Sequence, residues 1–288
     1  MSEKPNCTRP AAKTNATTAA FAGSDELWAV LAPLIPAHVN THRLGGGRPR
    51  VPDRHCANGI FYVLRTGRQW KALDKTGLCS GSSAHLRFQE WVTAGVFLQL
   101  WEAGLERYDD VKGIDWAWLS MDGARTEAPL GGARNRPTPT ERGKAGVKRS
   151  VWTEANGIPI GLAVAGANRN AMKLVRATIE SLPVVRPTPT PEHPQGMGMD
   201  KGYDDEEVRE TVREFGFPAP IRSRGEEAQA LKRETGFKAR RWVVERAHSW
   251  MNRFRRVLIR WDKSAANSLA FLPFACALIA FRAAGLLG

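Results

Sequence analysis

Hydrophobic residues in the first third of the chain recur at helical spacing, in short stretches separated by capping residues and glycines. Ser24 followed by two acids is typical of a helix start, and Asp53 and Ser82 are candidate caps for later helices. Helices are therefore predicted over residues 26–35, 53–66, 82–93 and 96–108. We expect residues 24–108 to form a small all-helical domain, preceded by a disordered polar tail at residues 1–22.

From Gly113 onward the pattern changes to strands that alternate with helices. Strands are predicted at 115–121, 147–154, 158–165, 196–199 and 220–223, and Asn156-Gly157 between the second and third is a strong hairpin signal. Helices are predicted at 171–182, 204–215, 239–261 and 267–284. Hairpin strands followed by alternating strands and helices indicate a mixed α/β sheet in a second domain, residues 113–288.

The longest apolar run, 269–281, is interrupted by Pro273 and ends at Arg282. A membrane span needs about 20 apolar residues, so we interpret this run as a buried helix and expect no membrane partner. The polar N-terminus lacks the apolar region of a secretory signal. The four cysteines show no zinc-binding spacing, which is typical of a reduced, cytoplasmic protein.

The charge of the chain is strongly positive and clustered. Lysine and arginine number 42 and the acids 29, a formal net charge of +13. The densest clusters are 134–149 and 222–263, and the second interleaves aromatic residues with arginines. Contact with a nucleic-acid backbone is the natural use of such segments, although a generic basic surface is the alternative.

Three acidic residues are candidates for chemistry. Asp122 and Asp200 each follow a predicted strand, and the carboxyl ends of strands are where an open α/β sheet presents functional groups. The alternative is that each only caps a turn. Glu245 lies opposite the apolar stripe of its predicted helix, and an exposed pair with Arg241 is the alternative interpretation.

The N-terminal segment offers two elements for reading DNA. Gly47-Arg48-Pro49-Arg50 is a candidate minor-groove arm, or else a plain linker. Helices 53–66 and 82–93 resemble a helix-turn-helix with a long connection. The candidate base contacts on the second helix are Ser83, His85, Arg87 and Gln89; alternatively Leu86 and Trp91 bury this helix.

Two boxes of sequence resemble those of a known family. Met199-Asp200-Lys201-Gly202-Tyr203-Asp204 is similar to the D-K-G-Y-D box of bacterial insertion-sequence transposases. Residues 241–246 (R-W-V-V-E-R) and 249–256 (S-W-M-N-R-F-R-R) are similar to their glutamate box. Over residues 24–285 the chain thus resembles the DDE transposases of the insertion-sequence-five family. It departs from the family at Asn170-Ala171, Lys238 and Asn252-Arg253.

The resemblance implies a ribonuclease H-like catalytic domain after a helix-turn-helix-like domain, with Asp122, Asp200 and Glu245 as catalytic, metal-binding acids. The implied cofactor is a pair of Mg²⁺ ions, with Mn²⁺ as a substitute. The implied partner is double-stranded DNA, both terminal inverted repeats and target, bound by a homodimer or higher oligomer at the nucleoid. The alternatives are a ribonuclease H-like nuclease without strand transfer and a non-catalytic DNA-binding protein descended from a transposase.

The basic clusters and the two boxes together give the candidate DNA contacts. They are Arg48, Arg50, Arg87, Arg142, Lys144, Lys148, Arg149, Lys201, Arg222, Arg224, Arg240, Arg241, Arg246, Asn252, Arg253, Arg255 and Arg256.

Overall fold

The computed structural model describes residues 23–40, 49–138, 143–217 and 242–287. The first part is helical, as predicted. The helices are α1 (Asp25–Leu31), α2 (Asp53–Thr66), α3 (Gly81–Thr93) and α4 (Val96–Lys112), with 3₁₀ turns at Ala32–Leu34 and Trp70–Lys75.

Local capping explains where these helices begin and end. The Ser24 hydroxyl accepts from the Leu27 amide at the start of α1. Gly67 ends α2 in the left-handed conformation, at φ 69°, which a glycine adopts without strain. The cap of α3 was predicted two residues late, because it is Ser80 and not Ser82. Helix α4 continues past Tyr108 to Lys112, where Gly113 stops it.

A mixed five-stranded sheet forms the centre of the second part. Its strands are β1 (Trp118–Glu127), β2 (Arg136–Pro137), β3 (Ala145–Thr153), β4 (Pro159–Gly166) and β5 (Gly196–Gly198). Strand β3 pairs antiparallel with β1, β2 and β4, and β5 pairs parallel with the other edge of β1. The predicted fold class, a mixed sheet with flanking helices after a helical region, is confirmed.

Helices cover the sheet. They are α5 (Val175–Glu180), α6 (Glu206–Glu214), α7 (Trp242–Asn252), α8 (Arg255–Leu258) and α9 (Ala265–Ala283), with 3₁₀ turns at Ala171–Leu174 and Lys201–Tyr203. Helix α7 packs on β1 and β3. The single helix predicted over 239–261 is wrong, because the backbone becomes extended at Phe254 and turns that ring into the core. Trp261, predicted on the same apolar stripe, lies beyond α8 and is partly exposed.

Helix α9 joins the two parts of the chain. By length and composition it could cross a membrane, but 61% of its most apolar window is buried inside this fold. It packs along α4, and Phe271 stacks on Phe88 of α3 with ring centroids 4.5 Å apart. Gly104 of α4 brings the two helices close, since a Cβ there would lie 3.2 Å from the Ala277 carbonyl oxygen. The N-terminal helices therefore share a hydrophobic core with the last helix.

Several predictions fall outside the described residues. These are the tail at 1–22, the start of the Gly47–Arg50 arm, the strand at 220–223 and the beginning of the helix predicted from residue 239.

Candidate active site

Asp122 and Asp200 are neighbours because of strand register. Trp118 pairs with Gly196 and Ser120 with Gly198, so that partners differ by 78 positions along the parallel strands β1 and β5. Asp122 and Asp200 differ by the same number, 200 − 122 = 78. The pairing ends at Ser120 and Gly198, and the same offset carried two residues further relates Asp122 to Asp200, which line one pocket.

The position of Asp122 corrects one detail of the sequence interpretation. Asp122 does not end its strand or cap a turn, because β1 continues to Glu127 and Gly123 pairs with Ser150 of β3. One Asp122 carboxylate oxygen accepts from the Gly123 amide at 2.7 Å. Asp200 does follow its strand by two residues, and its carbonyl accepts from the Tyr203 amide.

Glu245 joins the two aspartates from α7. One pocket is lined by Ser120, Met121, Asp122, Gly198, Met199, Asp200, Val244 and Glu245. Glu245 is exposed on its helix, whereas its neighbour Val244 is buried. The structure thus brings the three acids that the sequence analysis identified to one pocket, although positions 122, 200 and 245 are far apart in the sequence.

The donor chemistry of this pocket fits a hard divalent cation. Three carboxylates offer only oxygen ligands, which Mg²⁺ prefers, together with retained water. Among residues 23–40, 49–138, 143–217 and 242–287, no three His, Cys, Asp or Glu side chains are already arranged to hold one metal ion. The residue types fit a divalent cation, although the three side chains are not grouped around one ion, and Glu245 is exposed.

Tyr203 supports this site from beneath, a role that the sequence analysis did not assign. Its side chain is 3% exposed. Burial and the carboxylates of Asp122 and Asp200 raise the pKa of Tyr203, so the hydroxyl stays protonated. A Cβ at Gly123 would lie 3.2 Å from that hydroxyl oxygen. A glycine after Asp122 is therefore what lets Tyr203 pack against the strand.

A buried basic group lies on the Asp122 face of the sheet. Arg149 is 2% exposed and donates to the Asn252 side-chain oxygen at 2.6 Å. Burial lowers the pKa of Arg149 to about 10, which leaves it charged at neutral pH. Burial and the Arg149 charge lower the pKa of His248 to about 3, so that ring is neutral. It faces the Asp122 carbonyl, but neither ring nitrogen makes a hydrogen bond of ordinary geometry.

Arg246, next to Glu245, is held between two tryptophans. Its guanidinium carbon lies 4.4 Å from the ring centroid of Trp242 and 4.7 Å from that of Trp250. It also donates to the Asn156 carbonyl in the β3–β4 turn. The i, i+4, i+8 spacing of these three residues was visible in the sequence and is the signal by which this stack could have been found.

Three of the predicted DNA contacts are wrong, because they are buried within the protein. Arg87 pairs with Asp53 and Glu90, and its guanidinium also donates to the Val51 carbonyl. Arg256 makes two hydrogen bonds to the Asp262 carboxylate and lies over the Phe271 ring. Arg149 is the third. A basic residue counts toward a DNA surface only if its head group reaches solvent.

The other predicted contacts differ in accessibility. Arg253 and Arg255 are exposed, and Lys148 is half-buried. Lys144 is exposed beside Glu127, whereas Arg50 is paired with Glu90 at 2.6 Å. Asn252 accepts from Arg149, and Lys201 lies in the 3₁₀ turn after Asp200. Six predicted contacts lie outside the described residues: Arg48, Arg142, Arg222, Arg224, Arg240 and Arg241. The pairing of Arg241 with Glu245 therefore stays a prediction.

The exposed face of α3 differs from the predicted one. Its outward residues are Ser82, Leu86, Gln89 and Thr93, at helical spacing. Leu86 is 58% exposed, so the expectation that it buries the helix is wrong, although Trp91 is buried. Of the four candidate base contacts, Gln89 is exposed, Arg87 is buried and His85 packs on Trp70 at 5.0 Å. The Ser83 hydroxyl bonds to Ser80.

Comparison with known proteins gives two family matches. Residues 24–101 match the family described as a putative transposase of the IS4/5 family, and residues 119–280 match the family described as "Transposase DDE domain". The chain is 34% identical over 155 residues to a putative transposase for insertion sequence element IS402 of Burkholderia cepacia; the match covers 53% of this chain and 71% of that protein. It is 32% identical over 116 residues to an uncharacterized 16.2 kDa protein of the same element and organism, covering 40% and 79%.

Among solved structures, the chain aligns with a pre-cleavage Mos1 transpososome at 12% identity and a TM-score of 0.25, covering 76% of this chain and 81% of that one. The transposase DDE domain spans more than half of the chain and includes all three pocket acids. DDE transposase domains generally use divalent metal ions, which agrees with the oxygen donors found here. The chain belongs to the DDE transposases of the IS4/5 type.

Proposed function

We propose that this chain is a DNA transposase that binds the terminal inverted repeats of its insertion sequence, cleaves the element ends by hydrolysis and joins the 3′ ends to target DNA. The observation that carries the proposal is the pocket in which Asp122, Asp200 and Glu245 meet. Three carboxylates at one pocket suit phosphodiester chemistry, because they offset the positive charge of two divalent ions and leave room for the phosphate.

In this proposal the three acids differ in the structural element that carries them. Asp122 lies within β1 and Asp200 two residues after β5, whereas Glu245 is an exposed side chain on α7. Two Mg²⁺ ions held by these acids, with Mn²⁺ as a substitute, would activate a water and stabilise the leaving 3′ oxygen. Tyr203 keeps its proton and supports the Asp122 strand, and Arg149 supplies a fixed positive charge behind it.

A strand-transfer assay tests the proposal. The full chain is incubated with a labelled duplex that ends in the element's own terminal repeat, with supercoiled target DNA, in Mg²⁺, in Mn²⁺ or in EDTA. We expect metal-dependent nicking at the repeat end and a joined product. Nicking without joining would favour the plain nuclease. Binding without either product would favour the non-catalytic DNA-binding protein.

We propose further that the exposed face of α3 reads the element ends, since a helix in the major groove is the commonest reading device. Replacing Gln89 by alanine in the full chain should weaken binding to the terminal repeat by about tenfold, the size of one lost base contact. Binding to scrambled duplex should stay within about twofold. Gel-shift titrations give both affinities. Equal losses on the two DNAs would place sequence reading elsewhere in the chain.

Phosphate contacts predict a steep salt dependence. If the exposed arginines and lysines neutralise phosphates, the logarithm of the binding constant should fall with the logarithm of salt concentration, with a slope of about −0.9 per phosphate. Arg255→Gln, at an exposed position, should make the slope shallower by about one unit. The Arg256→Gln variant is the comparison, because Arg256 is buried and should leave the slope unchanged. A slope near zero for the wild type would contradict backbone contact.

The proposed reaction also sets expectations for assembly and location. Both element ends must be joined in one event, so we propose that two or more copies act together on DNA, with cyclic symmetry as the simplest arrangement. The proposed site of action is the nucleoid in the cytoplasm. Analytical ultracentrifugation with and without terminal-repeat DNA measures the assembly state.

A further inference from the structure

A second pocket, of about 400 Å³, lies where the N-terminal helices meet the end of α7 and the last turns of α9. This volume is within the range of small-ligand sites. The pocket is lined by Ser24, Leu27, Phe61, Arg65, Ile158, Trp250, Arg253, Phe254, Leu278, Ile279, Arg282, Ala283 and Leu287. None of the pocket acids described above belongs to it.

The charge of this pocket favours an anion. Three lining residues are arginines, Arg65, Arg253 and Arg282, and no lining residue is acidic. Burial and the neighbouring Arg282 charge both lower the pKa of Arg65. An anionic group that enters beside Arg65 and Arg253 is stabilised by their positive charge.

The walls of the pocket favour a flat ring. Trp250, Phe61 and Phe254 line it. The guanidinium of Arg65 already lies over two of these rings, 6.0 Å from the centroid of Phe61 and 5.7 Å from that of Phe254. Nucleobases stack on such aromatic and guanidinium surfaces, whatever their sequence.

Trp250 connects this pocket to the arginine stack on α7. Arg246 follows Glu245 directly and is stacked between Trp242, which is 53% exposed, and Trp250, which lines the pocket. Glu245 and Trp250 are five residues apart on α7, about 7.5 Å along the helix axis.

We propose that this pocket binds one unpaired nucleotide of a single DNA strand that extends from the cleavage site, with its base against Trp250 and its phosphate at Arg253 and Arg65. The Trp242–Arg246–Trp250 stack guides that strand. A duplex is too wide for a pocket of this volume, whereas one nucleotide fits. This inference rests on the proposed function, since the single strand is the one that cleavage at the three acids would produce.

The test uses the full chain in EDTA, where cleavage does not occur. The probe is a 5′-phosphorylated pentathymidine with a 3′ fluorophore, and a blunt duplex with the same label is the comparison. We expect Arg253→Gln and Trp250→Ala each to weaken single-strand binding about tenfold, and Trp250→Phe to weaken it less than threefold, because stacking is retained. Duplex binding by the two Trp250 variants should change less than twofold, and Arg253→Gln should weaken duplex binding less than it weakens single-strand binding. Arg107→Gln, at an exposed position of α4 outside the pocket, controls for the loss of one charge.

Two results would overturn the inference. One is an equal loss of single-strand affinity for Arg253→Gln and Arg107→Gln, which would mean that the weaker binding comes only from the lower net charge of the protein. The other is displacement of the oligonucleotide by decanoate at lower concentrations than by unlabelled pentathymidine, which would assign the pocket to an amphipathic acid. Because Arg253 is exposed, its variant tests the inference even if Trp250→Ala fails to fold. The Asp122→Asn protein should keep the single-strand affinity of the wild type. A protein that binds the oligonucleotide but does not cleave DNA would therefore contradict the proposed catalysis and not the proposed pocket.

Discussion

Replacing Asp122 by asparagine should abolish DNA cleavage and strand joining while leaving DNA binding within about twofold of wild type. The amide keeps the size of the side chain but removes the charge that a divalent ion requires. Such ions contribute several kcal/mol of transition-state stabilisation, and each 1.36 kcal/mol is tenfold in rate, so we expect a loss of about a thousandfold or more. Single-turnover cleavage of the labelled terminal-repeat duplex in Mg²⁺ measures it.

The control for this experiment is Asp110→Asn, which removes one carboxylate from an exposed position of α4 outside the pocket. It should cleave at the wild-type rate. Asp200→Asn should match Asp122→Asn, because the two aspartates line the same pocket. Cleavage by the Asp122→Asn protein at more than about a tenth of the wild-type rate would contradict a role for this carboxylate in binding metal.

The second large effect is on stability. Phe271 is 1% exposed, stacks on Phe88 of α3 and also packs against Trp70. Phe271→Ala should lower the free energy of unfolding by about 3–5 kcal/mol, the usual cost of truncating a buried phenylalanine. Urea denaturation followed by both circular dichroism and tryptophan fluorescence measures the change.

The comparison of the two unfolding curves tests whether the N-terminal helices and α9 unfold together. Because α9 shares a core with α3 and α4, we expect one transition for both probes, in wild type and variant alike. Leu98→Ala, at a position of α4 that is 50% exposed, should cost less than about 0.5 kcal/mol. Two separated transitions, with only one shifted in Phe271→Ala, would show that the N-terminal helices unfold independently.

Local signals in the sequence were sufficient for most of the elements. Helix α2 was predicted with its actual bounds, because an acid at its first turn and a left-handed glycine after it are local features. The long helix over 239–261 was predicted as continuous, since nothing within it breaks helical spacing. It divides at Phe254 because the ring is buried between helices, and such a tertiary contact has no counterpart in periodicity.

At the site, the identity of the acids could be predicted but their surroundings could not. Asp122 and Asp200 were found because each follows a predicted strand, whereas the pairing of β1 with β5 that brings the two strands together is a tertiary property. Charge counting placed Arg149 and Arg256 on the DNA surface, and Arg87 was predicted as a base contact of its helix, but an arginine can equally turn inward to a carboxylate or an amide. Whether each arginine reaches solvent depends on the side of its helix or strand on which it lies, and not on its residue type.

The docking of α9 against α3 and α4 also bears on how the protein is made. Because α9 is synthesised after every other described helix and strand, Phe88 and Phe97 have no Phe271 or Phe274 to pack against until residues 265–283 have been added. These contacts join residues far apart in sequence, which slows folding. A translation product that stops before residue 265 would therefore expose this aromatic surface and be cleared or aggregate, and would not persist as a fragment that competes with the full-length protein for DNA.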